Sequence, residues 1–139
     1  MCTFCDIVNG DTDAYVVFED DHTTTFLDRR PLFPGHCLLI PKVHYETISE
    51  LPTELIQPVF ENVRFISDII KLTFTSEGTF IAVNNTVSQS VPHMHVHIVP
   101  RNRKDGLKGF FWPRNPYKDP QHMLDTANKI REIIRSSRT

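Results

Sequence analysis

Three histidines alternate with apolar residues near the middle of the chain, in the order His93-Met94-His95-Val96-His97-Ile98-Val99-Pro100. Successive residues of a strand point to opposite faces, so this spacing places all three imidazoles on one side of a strand. Valine and isoleucine favour a strand, and proline ends one. Because histidine can be a nucleophile, a proton carrier or a metal ligand near neutral pH, the pattern predicts an active site on a strand over residues 91–99. Hydrogen-bonded scaffolding by two of the three is the alternative.

The length, charge and hydropathy limit the classes of protein to consider. A chain of 139 residues suits one domain with one core. A net charge of −2 and a pI of about 6.4 do not suggest a nucleic-acid or membrane surface. No apolar run in the sequence approaches the roughly 20 residues that span a bilayer, and the polar start does not resemble a signal peptide. We therefore expect a cytosolic protein without nucleic-acid or membrane partners.

Apolar patterning predicts an α+β fold with about five strands in a mainly antiparallel sheet. The predicted strands are residues 15–19, 23–28, 36–41, 79–83 and 91–99. Asp20-Asp21-His22 is the predicted turn of a hairpin between the first two. The third strand is apolar enough to be central. Hairpins with helices inserted between strands are typical of the α+β class.

Helical patterns occur at three places in the sequence. Residues 4–8 predict a short helix or turn that ends at Asn9-Gly10-Asp11. The main helix is predicted from a Thr53 cap to about Phe74, and Pro58 predicts a later start or a kink. Asp119-Pro120 opens a final helix. Its predicted buried residues are Met123, Ala127, Ile130 and Ile134.

The main helix has an unusually wide apolar stripe. One face consists of Leu55, Val59, Val63, Ile66 and Ile70, while Ile56, Phe60 and Ile69 lie beside it. A sheet covers only the first set, so the second set needs another partner. A contiguous exposed apolar surface of this size is unusual in a monomer, and we therefore expect a homodimer.

The motif His-φ-His-φ-His-φ-φ, where φ is hydrophobic, resembles the signature of the histidine triad (HIT) family of nucleotide hydrolases and transferases. Other segments resemble that family in the same order and spacing, namely Phe26-Leu27-Asp28, Pro34-Gly35-His36, Ile40-Pro41-Lys42, His44, Asn84-Asn85 and Gln89-Ser90-Val91. The resemblance covers about residues 2–101. It implies a single HIT domain over residues 1–139, in which residues 102–139 form a less standard tail and helix.

The resemblance also implies roles for the histidines. His95 matches the nucleophile, which attacks the α-phosphorus of a nucleoside phosphate ester or phosphoramidate and forms a nucleotidyl-imidazole intermediate. Water then releases the monophosphate. His97 can donate to a phosphate oxygen, and His36 matches a fourth histidine near the α-phosphate. Such chemistry needs mainly positioning and charge stabilisation.

A nucleotide-binding set follows from the same resemblance. Asp28 matches the carboxylate that accepts both ribose hydroxyls. Phe4, Ile7 and Phe26 form the apolar slot for the base, although a plain core role is the alternative. Asn84, Gln89 and Ser90 match the phosphate side. Here the chain departs from the family, because Ser88 stands where relatives usually have glycine and the loop before Gln89 is about two residues shorter.

Cys2-Thr3-Phe4-Cys5 is a second motif. Two thiolates at this spacing can reach one zinc ion, and a closed tetrahedral site then needs two more ligands. Some histidine triad proteins that resemble this chain complete such a site with two histidines, which match His44 and His93. The resemblance thus implies a structural zinc and no organic cofactor. Redox-active or reduced thiols without metal are the alternative.

Three interpretations of the function remain open in the sequence. The resemblance implies hydrolysis of purine nucleoside phosphoramidates or dinucleoside polyphosphates, which are AMP or GMP derivatives. The transferase branch replaces the last histidine with glutamine, so His97 favours hydrolysis. A metalloenzyme with three histidine ligands and a non-catalytic nucleotide-binding protein are the alternatives. In the dimers of this family the C-terminal segment reaches the partner's site, so Trp112 is expected near the neighbouring pocket.

Overall fold

The computed structural model describes residues 2–107 and 114–137, and it divides into two compact units, Met1–Asp105 and Gly106–Thr139. The first unit contains two helices and five strands, with a short 3-10 turn at Ile48–Glu50. These elements are α1 (Thr3–Asn9), β1 (Val16–Glu19), β2 (Thr23–Leu27), β3 (Cys37–Pro41), α2 (Thr53–Phe74), β4 (Gly78–Val83) and β5 (Val96–Arg101). The second unit contains α3 (Pro120–Ser137).

The five strands form one sheet in the order β1-β2-β3-β5-β4, and every neighbouring pair is antiparallel. The predicted fold class is therefore confirmed. All five residues of β3 are buried, as its apolar composition predicts for a central strand. The predicted hairpin turn is also present, because Asp20 Oδ1 accepts hydrogen bonds from the main-chain N–H groups of His22 and Thr23.

The sheet separates two apolar layers. Alternation along β3 directs Cys37 and Leu39 towards the main core, which α2 covers, and directs Leu38 and Ile40 towards α1. A smaller cluster on the α1 side consists of Phe4, Phe26, Leu38 and Ile40. The residues of the candidate site lie on this second side of the sheet.

Helix α2 packs through the residues that its periodicity predicts, since Val59, Val63, Ile66 and Ile70 are its buried residues. The predicted Thr53 cap is wrong, and so is the later start that Pro58 predicted, while the alternative of a kink at Pro58 stays a prediction. Pro52 is the N-cap and Thr53 is the first helical residue, and the helix runs through Pro58 without a later start. The helix ends at Phe74, and its C-cap is Thr75, whose φ of 50° is left-handed.

The close approach of two residues fixes the end of α2 against the loop before β3. Gly35 has a φ of 99°, which favours glycine. A Cβ atom at this position would lie 2.7 Å from Cζ of Phe74, the last residue of α2. A side chain at position 35 would therefore have to displace the Phe74 ring as well as adopt a left-handed backbone.

The predicted strand over residues 91–99 both starts and ends too early, because Pro100 does not end it and β5 runs on to Arg101, which pairs with Gly78. Strand β5 begins at Val96, where it pairs with Leu39 of β3 and Val83 of β4. Neither neighbour continues the ladder past Val96, so His93 and His95 lie before the strand. Side-chain alternation nevertheless extends through this segment, because Met94 and Val96 lie in the main core and the histidines lie on the α1 side.

The predicted buried side of the final helix is also wrong. Helix α3 has no buried residue in the structure, and Met123, Ile130 and Ile134 are each more than half exposed. The prediction for Trp112 concerns a residue outside the described ranges. Within residues 2–107 and 114–137, no helix combines the length and the apolar character needed to cross a membrane.

Candidate active site

A cavity of about 380 Å³ lies on the α1 side of the sheet. Most of the predicted catalytic and nucleotide-binding residues line it. Among its lining residues are Phe4, Ile7, Phe26, Asp28, Ser90, His95 and His97. Helix α1 supplies the first two, and the end of β2 supplies the next two. The sequence prediction missed Leu38, although it pairs with Phe26 in the β2–β3 register and therefore shares its face. It also missed Arg29 and Arg30, which flank Asp28.

His95 is buried, and one of its ring nitrogens is committed. Nδ1 lies 2.7 Å from the main-chain carbonyl oxygen of His93. A carbonyl oxygen only accepts, so the ring hydrogen is on Nδ1. In the neutral ring Nε2 therefore carries a free lone pair. This is the tautomer that a nucleophilic imidazole requires.

A second pair of histidines lies beside it. The main-chain N–H of Leu32 donates to Nδ1 of His36 over 3.0 Å, so the hydrogen of the neutral His36 ring is on Nε2. Nε2 of His36 is 3.0 Å from Nδ1 of His97 and donates to it. The remaining hydrogen of the neutral His97 ring is then on Nε2, which leaves His97 able to donate to a bound group.

The environment keeps these rings neutral at pH 7. Burial, followed by the nearby His95 and His36 rings, lowers the pKa of His97 to about 4, and the Asp28 carboxylate opposes this shift. Burial also lowers the pKa of His36, again opposed by Asp28. Hydrogen bonding rather than positive charge is therefore what the two rings offer to a ligand.

Asp28 is oriented by its neighbours at the rim of the cavity. Its Oδ1 accepts a hydrogen bond from the Arg30 main-chain N–H over 2.9 Å, and its Oδ2 lies 3.6 Å from His36 Nε2. A carboxylate accepts several hydrogen bonds, so lone pairs on both oxygens remain for hydroxyl donors.

Two predicted phosphate-side residues, Asn84 and Gln89, do not line this cavity and instead hold the loop before the triad. Asn84 Nδ2 donates to the carbonyl of Ser88, while Gln89 Nε2 donates to the carbonyl of Glu46 over 2.6 Å. Ser88 has a φ of 61°. This left-handed backbone accounts for the glycine that relatives usually have at the position.

Cys2, Cys5, His44 and His93 form a candidate metal-binding cluster whose ligand atoms all lie within 4.8 Å of one another. Both histidines direct Nδ1 at the thiols, since Cys5 Sγ is 3.3 Å from His44 and 3.6 Å from His93. Nε2 of His93 donates to the carbonyl of Pro41 over 2.8 Å. This bond places the hydrogen on Nε2 and leaves Nδ1 free for a metal, as in other protein sites with histidine ligands.

Asp28, His36 and His97 also bring potential ligand atoms within 4.8 Å of one another. The hydrogen bonds argue against a metal here. Coordination through His36 Nε2 would move its hydrogen to Nδ1, which faces the N–H of Leu32. Two donors would then oppose each other, so the hydrogen bonds disfavour a metal in this second cluster.

The comparisons with known proteins agree with this geometry. The chain is 37% identical to the adenylylsulfatase HINT3 of Arabidopsis thaliana over 76% of its own length and 55% of that protein. It is 30% identical to the adenosine 5′-monophosphoramidase HNT1 of Candida albicans over 81% of its length and 78% of that protein.

Two solved structures share the fold. A crystal structure of a HIT family member from Bacillus subtilis is 34% identical, with a TM-score of 0.83 and coverage of 94% of this chain and 95% of that one. A Zn-bound histidine triad family protein from Mycobacterium smegmatis is 31% identical, with a TM-score of 0.73 and coverage of 91% and 96%. The HIT domain family itself matches residues 9–104. The chain therefore belongs to the HIT domain family.

Proposed function

We propose that the protein is a nucleotide hydrolase that cleaves at the α-phosphate of purine nucleoside phosphoramidates or dinucleoside polyphosphates. The observation that carries this proposal is the tautomer of His95, whose Nε2 lone pair is free at the wall of a cavity that also contains Asp28. The names of two relatives, an adenylylsulfatase and a monophosphoramidase, support a nucleotide substrate with a labile bond at the α-phosphorus.

The nucleotide is proposed to bind with its base between Phe4, Ile7 and Phe26 and with its ribose hydroxyls on Asp28. Phe4 and Phe26 are buried and in edge contact, with ring centroids 5.4 Å apart. Both also line the cavity, so the slot role and the core role are compatible. Ser90 lines the same cavity and is proposed to donate to the phosphate. Asn84 and Gln89 are proposed to act on the phosphate side by shaping the loop that carries Ser90.

In the first step Nε2 of His95 forms a bond to the α-phosphorus, and the bond to the leaving group breaks. The leaving group takes its electron pair and a proton from solvent water, while the Nε2–H of the neutral His97 ring donates a hydrogen bond to a phosphate oxygen. The hydrogen bonds from Leu32 to His36 and from His36 to His97 favour this tautomer of His97. In the second step a water molecule attacks the same phosphorus, its proton passes to solvent, and the bond to His95 breaks with its electron pair returning to Nε2. The product is the nucleoside monophosphate.

We further propose that Cys2, Cys5, His44 and His93 hold zinc. Two thiolates and two imidazoles are a common donor set for structural zinc, and the Zn-bound relative from Mycobacterium smegmatis supports the same ion here. A closed four-ligand site leaves no position for a substrate, so the proposed metal is structural. A homodimer, a single domain over residues 1–139 and a cytosolic location also stay predictions.

The proposal is tested with purified protein and a panel that contains adenosine and guanosine 5′-phosphoramidates, adenosine 5′-phosphosulfate and diadenosine polyphosphates. Chromatography should detect the monophosphate as product. His95→Asn should reduce turnover by at least three orders of magnitude with an unchanged circular dichroism spectrum, since removal of a covalent nucleophile removes the pathway.

His22→Asn is the matched control, because His22 is exposed in the turn between β1 and β2. It should retain full turnover. Undiminished turnover in His95→Asn, or a nucleotidyl-enzyme trapped on another residue, would remove His95 as the nucleophile. Tight binding of AMP without turnover of any substrate would favour the non-catalytic alternative.

A further inference from the structure

Phe4 lies between the two cysteines of the metal cluster and at the same time contacts the proposed nucleophile. Its side chain is 6% exposed. Its ring meets that of His95 edge-on, with centroids 5.1 Å apart and an interplanar angle of 87°. It also contacts the ring of His93 with a centroid distance of 5.9 Å. One aromatic ring thus connects the thiol segment with two of the three triad histidines.

The His95 ring needs such support. The terminal torsion of a histidine side chain is broad, so backbone position alone does not fix the direction of Nε2. The hydrogen bond from Nδ1 to the His93 carbonyl fixes one edge of the ring. Phe4 and His97 then contact the ring, with centroids 5.1 Å and 5.0 Å away. Rotation of His95 would break the hydrogen bond and press the ring against its neighbours.

Two of these restraints, the Phe4 ring and the His93 carbonyl, belong to the chain segments that form the four-ligand cluster. Phe4 occupies the two-residue spacer between Cys2 and Cys5, and the carbonyl that receives His95 belongs to His93. The ring of His93 is itself held by Pro41 on one side and by the cluster on the other. A filled cluster therefore fixes both groups that orient the His95 imidazole.

We propose that Phe4 is a positioning residue for His95, and that an occupied Cys2-Cys5-His44-His93 cluster is needed to keep Phe4 and the His93 carbonyl in place. This inference rests on the proposed function. The metal cluster then has a second role besides stability. Loss of the metal would reorient the His95 imidazole in a protein that is still folded. Phe26 has no such role, since the aromatic ring that it contacts within the described residues is that of Phe4 and not that of His95.

The two phenylalanines allow a matched test in the zinc-loaded protein. Both line the cavity, so Phe4→Leu and Phe26→Leu should each weaken nucleotide binding and raise KM. Phe4→Leu should in addition lower kcat by about 10-fold or more, because misplacement of a reacting group by about 1 Å can cost 100-fold. Phe26→Leu removes only the contact with the base, so it should raise KM and lower kcat less than Phe4→Leu does.

A spectroscopic readout tests the positioning without turnover. In proton NMR spectra, the His95 Nδ1–H signal, assigned by its loss in His95→Asn, should exchange slowly with solvent because it is buried and bonded to a carbonyl. We expect this signal to disappear or to exchange at least 10-fold faster in Phe4→Leu. It should persist in Phe26→Leu.

Removal of the metal from the unsubstituted protein gives the second arm and does not depend on whether a variant folds. Chelation should accelerate exchange of the His95 signal while the main-chain amides of β3 stay protected. An unchanged signal both in Phe4→Leu and in the chelated protein would overturn the inference, as would equal losses of kcat in the two leucine variants. If no substrate is turned over, the proposed function fails, but the NMR arm still decides the positioning.

Discussion

Nε2 of His36 lies 3.0 Å from Nδ1 of His97, and a single hydrogen occupies the space between them. Protonation of His97 at Nδ1 would place two hydrogens between these nitrogens. Desolvation by burial, followed by the nearby His95 and His36 rings, lowers the pKa of His97 to about 4. Both rings of this pair are therefore neutral at pH 7 in the folded protein.

This pair predicts a loss of stability in acid. A histidine in the unfolded chain binds its proton near pH 6.5, whereas His97 in the folded chain does so near pH 4. Between these values the unfolded state binds more protons, so the free energy of unfolding decreases as the pH falls from 6.5 towards 4. Between pH 7.5 and pH 4.5, the free energy of unfolding should decrease by about 2 kcal/mol less in the His97→Asn variant than in the unsubstituted protein.

Urea unfolding at the two pH values measures this difference. His22→Asn is the control, because His22 is exposed and its loss should leave the acid sensitivity unchanged. Acid effects on the remaining groups are common to all three proteins. Equal losses of stability in His97→Asn and the unsubstituted protein would show that His97 is not the source.

The metal cluster predicts one zinc per chain in protein that is purified without added metal. Cys5→Ser should lower the zinc content to a small fraction and reduce the thermal midpoint, since metal binding contributes directly to folding stability. Cys37→Ser is a matched control. Cys37 is buried in β3 outside the cluster, so its replacement should reduce stability and leave zinc at one per chain. Elemental analysis near zero with all thiols free would refute the site.

The three apolar residues of α2 that were predicted to need a second partner lie on two opposite flanks of the helix, and one of them, Phe60, already packs partly on the main core. Ile56 and Phe60 lie on the flank of Ser67, whose hydroxyl is 2.7 Å from that of Thr79 in the edge strand β4. Ile81 of β4 is 45% exposed beside this flank. Ile69 lies on the other flank, where it lines an apolar cavity of about 440 Å³ with Phe18 and Phe65. One two-fold axis therefore cannot cover all three residues of the predicted interface.

We predict that the dimer forms through the β4 flank. Light scattering should give about twice the chain mass of 16.1 kDa. Ile56→Asp should shift the protein to the monomer mass, because a carboxylate buried in an apolar interface is costly to desolvate. Ile69→Asp on the opposite flank should leave the dimer intact. Dissociation by Ile69→Asp alone would place the interface on the β1 side instead, and a monomer mass for the unsubstituted protein would exclude the dimer.

Thr75 predicts a stabilising substitution. It ends α2 with a φ of 50°, a conformation that is strained for a β-branched residue, and its N–H caps the helix. Thr75→Gly should increase the free energy of unfolding by about 1 kcal/mol, because glycine adopts this conformation without strain. Thr73→Gly, within the helix, should instead decrease it by about 0.3 kcal/mol, the difference in helix propensity between threonine and glycine. Denaturant unfolding compares the two, and a destabilising Thr75→Gly would contradict the strain.

The parts of the fold that sequence patterns predicted are those in which local periodicity and burial agree. The central position of β3 and the buried stripe of α2 follow directly from their apolar residues. The start of β5 could not be predicted from its own residues, because a strand extends only as far as its neighbours pair with it. The pairs of Val96 with Leu39 and with Val83 are the last in their ladders, so no residue before Val96 pairs with β3 or β4. Helix α3 has the right periodicity but no buried residue, since periodicity predicts a face and not its partner.

In the candidate site, the sequence indicated side chains but not their hydrogen-bond directions. The main-chain groups of Leu32, Pro41 and His93 determine which nitrogen of each imidazole is free. Main-chain donors and acceptors have no signature in a sequence, so these assignments need coordinates. The same holds for Asn84 and Gln89, whose amides are engaged within their loop.

The contact of Phe74 with Gly35 has a consequence for insertions and deletions. Each residue of a helix turns the next by about 100° and advances it by about 1.5 Å. Insertion of one residue into α2 between Ile70 and Phe74 would rotate the Phe74 ring away from Gly35, which directly precedes His36. The number of residues in α2 is thus constrained by the loop before β3, which contains Gly35. Among related sequences, we expect insertions and deletions before Pro52 or after Ser76 rather than within the helix.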